Sequence, residues 1–506
     1  MATEAIPAPP NLTIAQLIRR RLTADPGDIV AIDIDDRPVT ATALAARVNA
    51  LAGGLADRGL VAGDRVVTLL DNSLDAVALM LACLRHGLTW VPVDPAARGA
   101  GLAHILNTAD PALVVAAADS RRALSAVGAG APVVWCDGPH VPLRGAAPPP
   151  ERSPDIAAIL FTSGTTGPPK GVPLTETMMV AAAHSAGIAC DAADGDRFLL
   201  WEPVRHIGGA QMCVLALMKR IRLVVRRRFS ASRFWGDVRR HGITKLHYLG
   251  GVLDILMSQP PAPDDADNPA VLAFGAGCRP TLWRAFEARF GVTVREVYGM
   301  TEASSFTTIN RDGTVGSIGT ALPWFDVALL DHDGQPLSKD RVAAGAVGEM
   351  AVRPLRPGLV MPGYLDDPEE TALVLVDGRL RTGDLARRDA AGHFWYEGRR
   401  KDAIRVRGEN ISAWEVEAAL NAHPAVAESA VVGVAAAIGE QEILAFLRPA
   451  AGAVVNPAAV LAALDLPDRA LPRYVRLVDD FPRTPSHRIR KDALPRDTDD
   501  AWFRPD

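Results

Sequence analysis

Cysteine pairs are missing from this chain. Its five cysteines, Cys83, Cys136, Cys190, Cys213 and Cys278, lie far apart and form no CxxC motif. That pattern excludes the usual zinc cages and gives no disulfide framework. They read as reduced, mostly buried thiols of a cytoplasmic protein. No run of about 18 apolar residues occurs, so no integral membrane helix is predicted. The 48% apolar share is inflated by alanine. The opening "MATEAIPAPPNLT" lacks the basic start and apolar block of a secretory leader, which again fits the cytoplasm. A basic surplus is also absent. The net charge of −5 gives no support for a nucleic-acid partner. Internal repeats are not seen. A chain of 506 residues is too long for one core, so two or more domains are expected.

What is present is organised. "DIVAIDID" (28–35) alternates with period two, and Leu44, Val48, Leu51 and Leu55 recur at helical spacing. "DRVVTLL" reads as a strand, "SLDAVALMLACLRHG" as a helix closed by Gly87, and "WVPVD" as a strand again. Alternating strands and helices predict mostly parallel, helix-covered sheets, an α/β class. The Pro-rich loop 141–154 leads into the strand "DIAAILFTS". From about 300 to 400, short strands alternate with Gly, Asp and Pro turns, which predicts a small barrel-like or antiparallel portion. The last 105 residues or so read as a compact α+β segment. It contains the helix "SAWEVEAALNAHP", with Ser412 and Glu415 at capping-box spacing. The boundary is placed at 400/401, giving domains 1–400 and 401–506.

The stretch "FTSGTTGPPKGV" (161–172) carries the densest chemistry. Glycine lets backbone amides approach an anion, Thr162, Ser163, Thr165 and Thr166 add hydroxyls, and Lys170 adds a cation. Such a loop suits phosphates, although GxxxxGK[ST] does not fit it. A polar surface loop is the plainer reading. In "VYGMTEAS", Glu302 follows a turn with Tyr298, Gly299 and Thr301. It is either a surface glutamate or a carboxylate for Mg²⁺ on substrate phosphates. "AFGAGC" offers a Gly-rich turn, Gly275, Ala276 and Gly277, that can lie beneath a base. In "RTGDLARRD", Asp384 is placed to accept from ribose hydroxyls or simply closes a turn.

In this order, "FTSGTTGPPKG", "YGMTE", "GEMAVR", "PGYLDDPEET", "RTGDLARRD" and "GRRKDAIRVRGENIS" resemble the adenylate-forming superfamily from about residue 12 to 495. That superfamily holds acyl-CoA synthetases, peptide-synthetase adenylation domains and luciferases. "WEPVRHIGGAQ", "YLGGVLDILMSQPP" and "RGENISAWEVE" look closest to the crotonobetaine/carnitine–CoA ligase-like branch. The resemblance implies an AMP-forming acid–thiol ligase using ATP, Mg²⁺, CoA and a small carboxylic acid. Residues 162–170, including Gly164, would hold the β- and γ-phosphates, and Glu302 would bind Mg²⁺. Tyr298 and the 275–277 turn would line the adenine site, Asp384 would hold the ribose, and Arg399 would contact ribose or phosphate. The small C-terminal domain would swing about Lys401, and Gly408 would line the CoA channel. A carrier protein or another nucleophile is an alternative acceptor. Homodimers occur in similar enzymes, so a homodimer is one expectation.

Two positions depart from the pattern. Arg205 stands where the family shows an aromatic before His206, the residue expected at the edge of the acid pocket. Arg205 either points into the pocket, to pair with an anionic or polar acid, or faces the surface, the favoured reading; a satisfied structural histidine is the plainer reading for His206. The C-terminal G-K-[IV] motif of the family is here His487, Arg488 and Ile489. Arginine keeps the charge but replaces a compact ammonium with a planar fork. Three readings follow: Arg488 performs the adenylation, Lys491 or Arg490 substitutes, or the protein is a nucleotide-binding relative with impaired adenylation. In an extended segment 488 and 491 face opposite sides, so Lys491 needs an intervening turn.

Overall fold

The computed structural model describes residues 6–145, 147–162, 168–400, 403–406, 409–435, 441–464, 466, 468–484 and 488–504. The alternation read from the first 120 residues builds the start of two sheets. The helix Leu74–His86 begins where Ser73 accepts from the Ala76 amide, and it ends at Gly87 in the left-handed conformation. The helix Ala41–Ala56 is capped in the same way by Thr40.

A six-stranded sheet runs Val133–Cys136, Leu113–Ala117, Arg65–Leu69, Thr89–Pro92, Ala158–Thr162, Lys170–Leu174. Its pairings are parallel except the last. A nine-stranded sheet is parallel through Ile29–Ile32, Arg222–Val225, Arg197–Leu200, Lys245–Leu249, Leu272–Ala276 and Thr293–Met300. Antiparallel strands close both of its edges. The Ala-rich helices Ala41–Ala56, Leu74–His86, Glu176–Ala189 and Ile207–Met218 share one buried cluster with strands of both sheets. Burial of so much apolar surface is the main favourable term in the fold.

The region 300–400 supplies a five-stranded antiparallel sheet from Phe325–Leu330, Gly348–Pro354, Arg379–Arg388, Leu375–Val376 and Phe394–Arg399. Beyond it, the hairpin Ala403–Val406/Glu409–Ser412 and the helix Ala413–Asn421 precede a four-stranded mixed sheet. Among the described residues, no buried apolar cluster draws on both sides of residue 400. All five cysteines are buried and free. No described helix is long and apolar enough to cross a membrane.

Candidate nucleotide and acid site

The phosphate-type stretch connects two antiparallel strands, with Thr162 opposite Lys170. The Thr162 hydroxyl donates to the Lys170 carbonyl at 3.5 Å. Ser163, Gly164, Thr165 and Thr166 lie outside the described residues. Lys170 does not stand alone. Its ammonium is 2.5 Å from a Glu370 carboxylate oxygen and 5.2 Å from the Tyr364 ring centre. Tyr364 in turn donates to Glu302 at 3.0 Å. Both partners lie in "PGYLDDPEET", a motif legible in the sequence without a role for either residue.

Thr293–Met300 runs into a single turn, Thr301–Ala303, and Ser304 and Ser305 then take positive φ. That reversal buries Glu302 to 6% exposure. Burial raises its pKa, with Asp384 adding to the rise. Its own backbone amide, Tyr364 and Arg399 oppose it. A cation beside this carboxylate would offset the desolvation. One carboxylate plus phosphate oxygens is a donor set that Mg²⁺ takes, so the residues present fit it. Gly299 must be glycine, because a Cβ there would lie 1.6 Å from the Ser305 carbonyl oxygen.

Asp384 joins three elements. Tyr298 donates to it at 2.7 Å, Tyr396 at 3.4 Å, and the Arg399 Nε lies 3.1 Å away. Tyr298 is buried, and burial, then the Asp384 charge, raises its pKa, so the phenol stays protonated. Of the expected Gly275–Ala276–Gly277 turn, Gly275 and Ala276 end the strand Leu272–Ala276, and the chain turns at Gly277, which has a φ of +98°. A Cβ at Gly275 would sit 1.9 Å from the Tyr248 carbonyl oxygen. Behind this turn stands Glu296, a buried carboxylate to which the sequence reading gave no role.

His206 precedes the helix Ile207–Met218. Its Nε2 is buried and has no hydrogen-bond partner among the described residues. Burial lowers its pKa. Arg205 and Arg488 push the same way, against Glu202 and Asp94. The imidazole is therefore neutral at neutral pH. Arg205 corrects the sequence reading. Its side chain is 14% exposed and pairs with Asp94 at 3.1 Å instead of facing solvent. Glu202 and His247, both buried, lie 2.7 Å apart. Gln211 is buried with neither amide atom bonded among the described residues.

The C-terminal segment brings Arg488 in on a hairpin. Arg483 pairs with Ile489, the Thr484 amide donates to the Arg488 carbonyl at 2.8 Å, and the Arg488 amide donates to the Thr484 hydroxyl at 3.1 Å. Arg488 itself is exposed, and its charge is felt at His206. The turn at Lys491 begins only there, running over Lys491–Ala493 rather than between 488 and 491, and the Lys491 ammonium is held by Glu417 at 2.7 Å. Arg490 pairs with Asp492. Lys401 and Gly408 lie outside the described residues.

The AMP-binding enzyme family model matches residues 18–365, and the AMP-binding enzyme C-terminal domain model matches 415–488. The chain belongs to the AMP-binding enzyme family. Similar proteins include the sulfoacetate–CoA ligase of Cupriavidus necator, 34% identical, covering 95% of this chain and 96% of the relative. The crotonobetaine/carnitine–CoA ligase of Escherichia fergusonii is 28% identical, covering 88% and 91%. ATP-bound MatB from Rhodopseudomonas palustris superposes with a TM-score of 0.85 at 28% identity, covering 94% and 97%. The expectation of an acid–thiol ligase agrees with the two CoA ligases, and the expected α/β fold agrees with the solved structure.

Proposed function

We propose that this protein is an ATP-dependent carboxylic acid–CoA ligase whose reacting carboxylate lies between His206 and Arg488. The observation that carries this reading is that Tyr298 and Arg399 converge on the buried Asp384, with the buried Glu302, bonded to Tyr364, one turn beyond the strand that carries Tyr298. The acid arrives ionised and needs no general base. Its oxygen attacks the α-phosphorus, the bond to the β-phosphate bridging oxygen breaks, and pyrophosphate leaves an acyl-AMP. The chain's task is alignment and charge neutralisation. Arg488 faces the charge that builds at the α-phosphate, and Asp384 holds the ribose. The residues 162–166 and Lys170 grip the β- and γ-phosphates. Glu302 would hold Mg²⁺, which supplies further neutralisation of the triphosphate. The CoA thiol then loses its proton and attacks the acyl carbon, and AMP departs.

Two reactions at one site need a rearrangement between them. Residues 1–400 and 401–506 are proposed as the two bodies, turning about Lys401, with Gly408 lining the thiol channel. The buried polar groups Glu202, His247 and Gln211 behind His206 favour a short acid with a polar tail over a long alkyl chain. The similarity to a sulfoacetate–CoA ligase supports that choice. A cytoplasmic location rests on the five free, buried cysteines.

The test incubates purified protein with Mg·ATP and a panel of short polar, aromatic and fatty acids, with and without CoA, and resolves products by mass spectrometry. AMP, pyrophosphate and an acyl-CoA from one acid support the reading. Acyl-AMP that accumulates while CoA is untouched moves the acceptor to a carrier protein or another nucleophile. Absence of acid-dependent pyrophosphate despite ATP binding overturns it in favour of a non-adenylating relative.

A further inference from the structure

The turn 275–278 is held from behind by a single carboxylate. Glu296 is buried on the strand Thr293–Met300, two residues before Tyr298 and so on the same face of that strand. One of its oxygens accepts from the Gly277 amide. The other accepts from the Cys278 amide at 3.1 Å and from the Tyr248 hydroxyl at 2.6 Å. Tyr248 belongs to the strand Lys245–Leu249 on the far side of Leu272–Ala276, and it is itself buried. Three neighbouring strands therefore meet at one carboxyl group. The same turn carries the left-handed Gly277, and the Gly250 amide donates to the Ala276 carbonyl at 2.7 Å. Buried polar groups this expensive to desolvate are kept where geometry must be fixed.

We propose that Glu296 is a positioning residue for nucleotide. It sets the height and tilt of the 275–278 turn against Tyr298, and so tunes affinity for the adenosine end of ATP without touching the acid. This rests on the reading of the 275–277 turn as part of the nucleotide site. An ionised carboxylate accepts from both amides and the phenol most strongly, with no proton of its own to place. A glutamine presents an amide nitrogen to one of those donors, and a protonated carboxyl presents a hydroxyl. Burial pushes the Glu296 pKa up to about 7, against the three hydrogen bonds that lower it. Tyr248 and Cys278, the titratable groups facing it, are both raised by burial and stay protonated through this range. As pH falls through about 7 the clamp is lost, and ATP affinity falls with it.

The test measures ATP binding by calorimetry, and KM for ATP and for the acid, in wild type, Glu296→Gln and Tyr248→Phe from pH 6 to 8. Melting temperatures are followed in parallel. Loss of one hydrogen bond to a charged group corresponds to about tenfold weaker ATP binding in Glu296→Gln at pH 8. A smaller loss is expected in Tyr248→Phe, and KM for the acid should hold in both. The ratio of wild-type to Glu296→Gln affinity should approach one at pH 6, which cancels the titration of ATP itself. If wild type fails to bind ATP, the site reading is wrong. If wild type binds and the variants bind equally well, or if both KM values rise together with falling melting temperature, Glu296 is only structural and the inference is overturned. Should Glu296→Gln not fold, Tyr248→Phe decides by the same split.

Discussion

In the proposed reading, Lys170 must leave a partner before it grips a phosphate. Its ammonium lies 2.5 Å from Glu370, with side-chain exposures of 24% and 40%. Exposure of that degree means water screens the pair, so its worth is about 1 kcal/mol rather than the several that distance alone implies. Glu370→Gln keeps the size and the amide that Asp367 caps at 3.0 Å, but removes the competing charge. The ATP-bound state then no longer has to break the pair. KM for ATP should fall, by no more than about fivefold. The assay is acid-dependent pyrophosphate–ATP exchange at low and high salt. The gain should shrink at high salt, because screening weakens the pair in wild type. The change should also vanish on a Lys170→Gln background, since the two residues act through one contact. A rise in KM for ATP on Glu370→Gln, or the same gain with Lys170 already removed, would refute the reasoning. Either result means Glu370 does not compete with phosphate for Lys170.

Three other outcomes are expected. Arg488→Ala should lower the rate of acyl-AMP formation by about a hundredfold or more, while thioester formation from supplied acyl-AMP persists and Arg488→Lys retains adenylation. Single-turnover measurement of each half-reaction checks this. Asp384→Asn removes the charge that Tyr298 and Arg399 share, and KM for ATP should rise about tenfold to a hundredfold in the exchange assay. His393 sits between Asp312 at 2.6 Å and Asp389 at 3.2 Å. Burial alone would lower its pKa, but the two carboxylates prevail and raise it. Its stabilisation is therefore complete below the unfolded value of about 6.5 and is lost as pH rises through the higher folded value. The melting-temperature gap between wild type and His393→Gln should narrow from pH 6 to pH 9.

Why the motifs converge on the proposed site is a matter of strand ends. In open α/β sheets ligands bind beyond the carboxyl ends of parallel strands. Thr162 ends Ala158–Thr162, Gly277 follows Leu272–Ala276, Glu302 follows Thr293–Met300, and His206 follows Arg197–Leu200. Polar, glycine-rich residues at such ends were legible because nothing in a core explains them. Helix limits were legible for local reasons too, as at Ser73 and Gly87. Partnerships were not. Lys170 and Glu370 are 200 residues apart, Tyr298 and Asp384 86, and Arg205 and Asp94 111. Each meeting depends on sheet order, which runs out of sequence and which periodicity does not encode. Arg205 was misread for this reason: a loop residue has no period to say which way it faces, and only the distant Asp94 settles it. Glu296 is the instructive intermediate. Period two already put it on the face of Tyr298, so its position was readable, but its use required the Gly277 and Cys278 amides to arrive from the neighbouring strand. A residue's side of an element follows from local chemistry. Its function follows from what the topology sets opposite, and that is why the residues of the proposed wall were readable while the struts behind them were not.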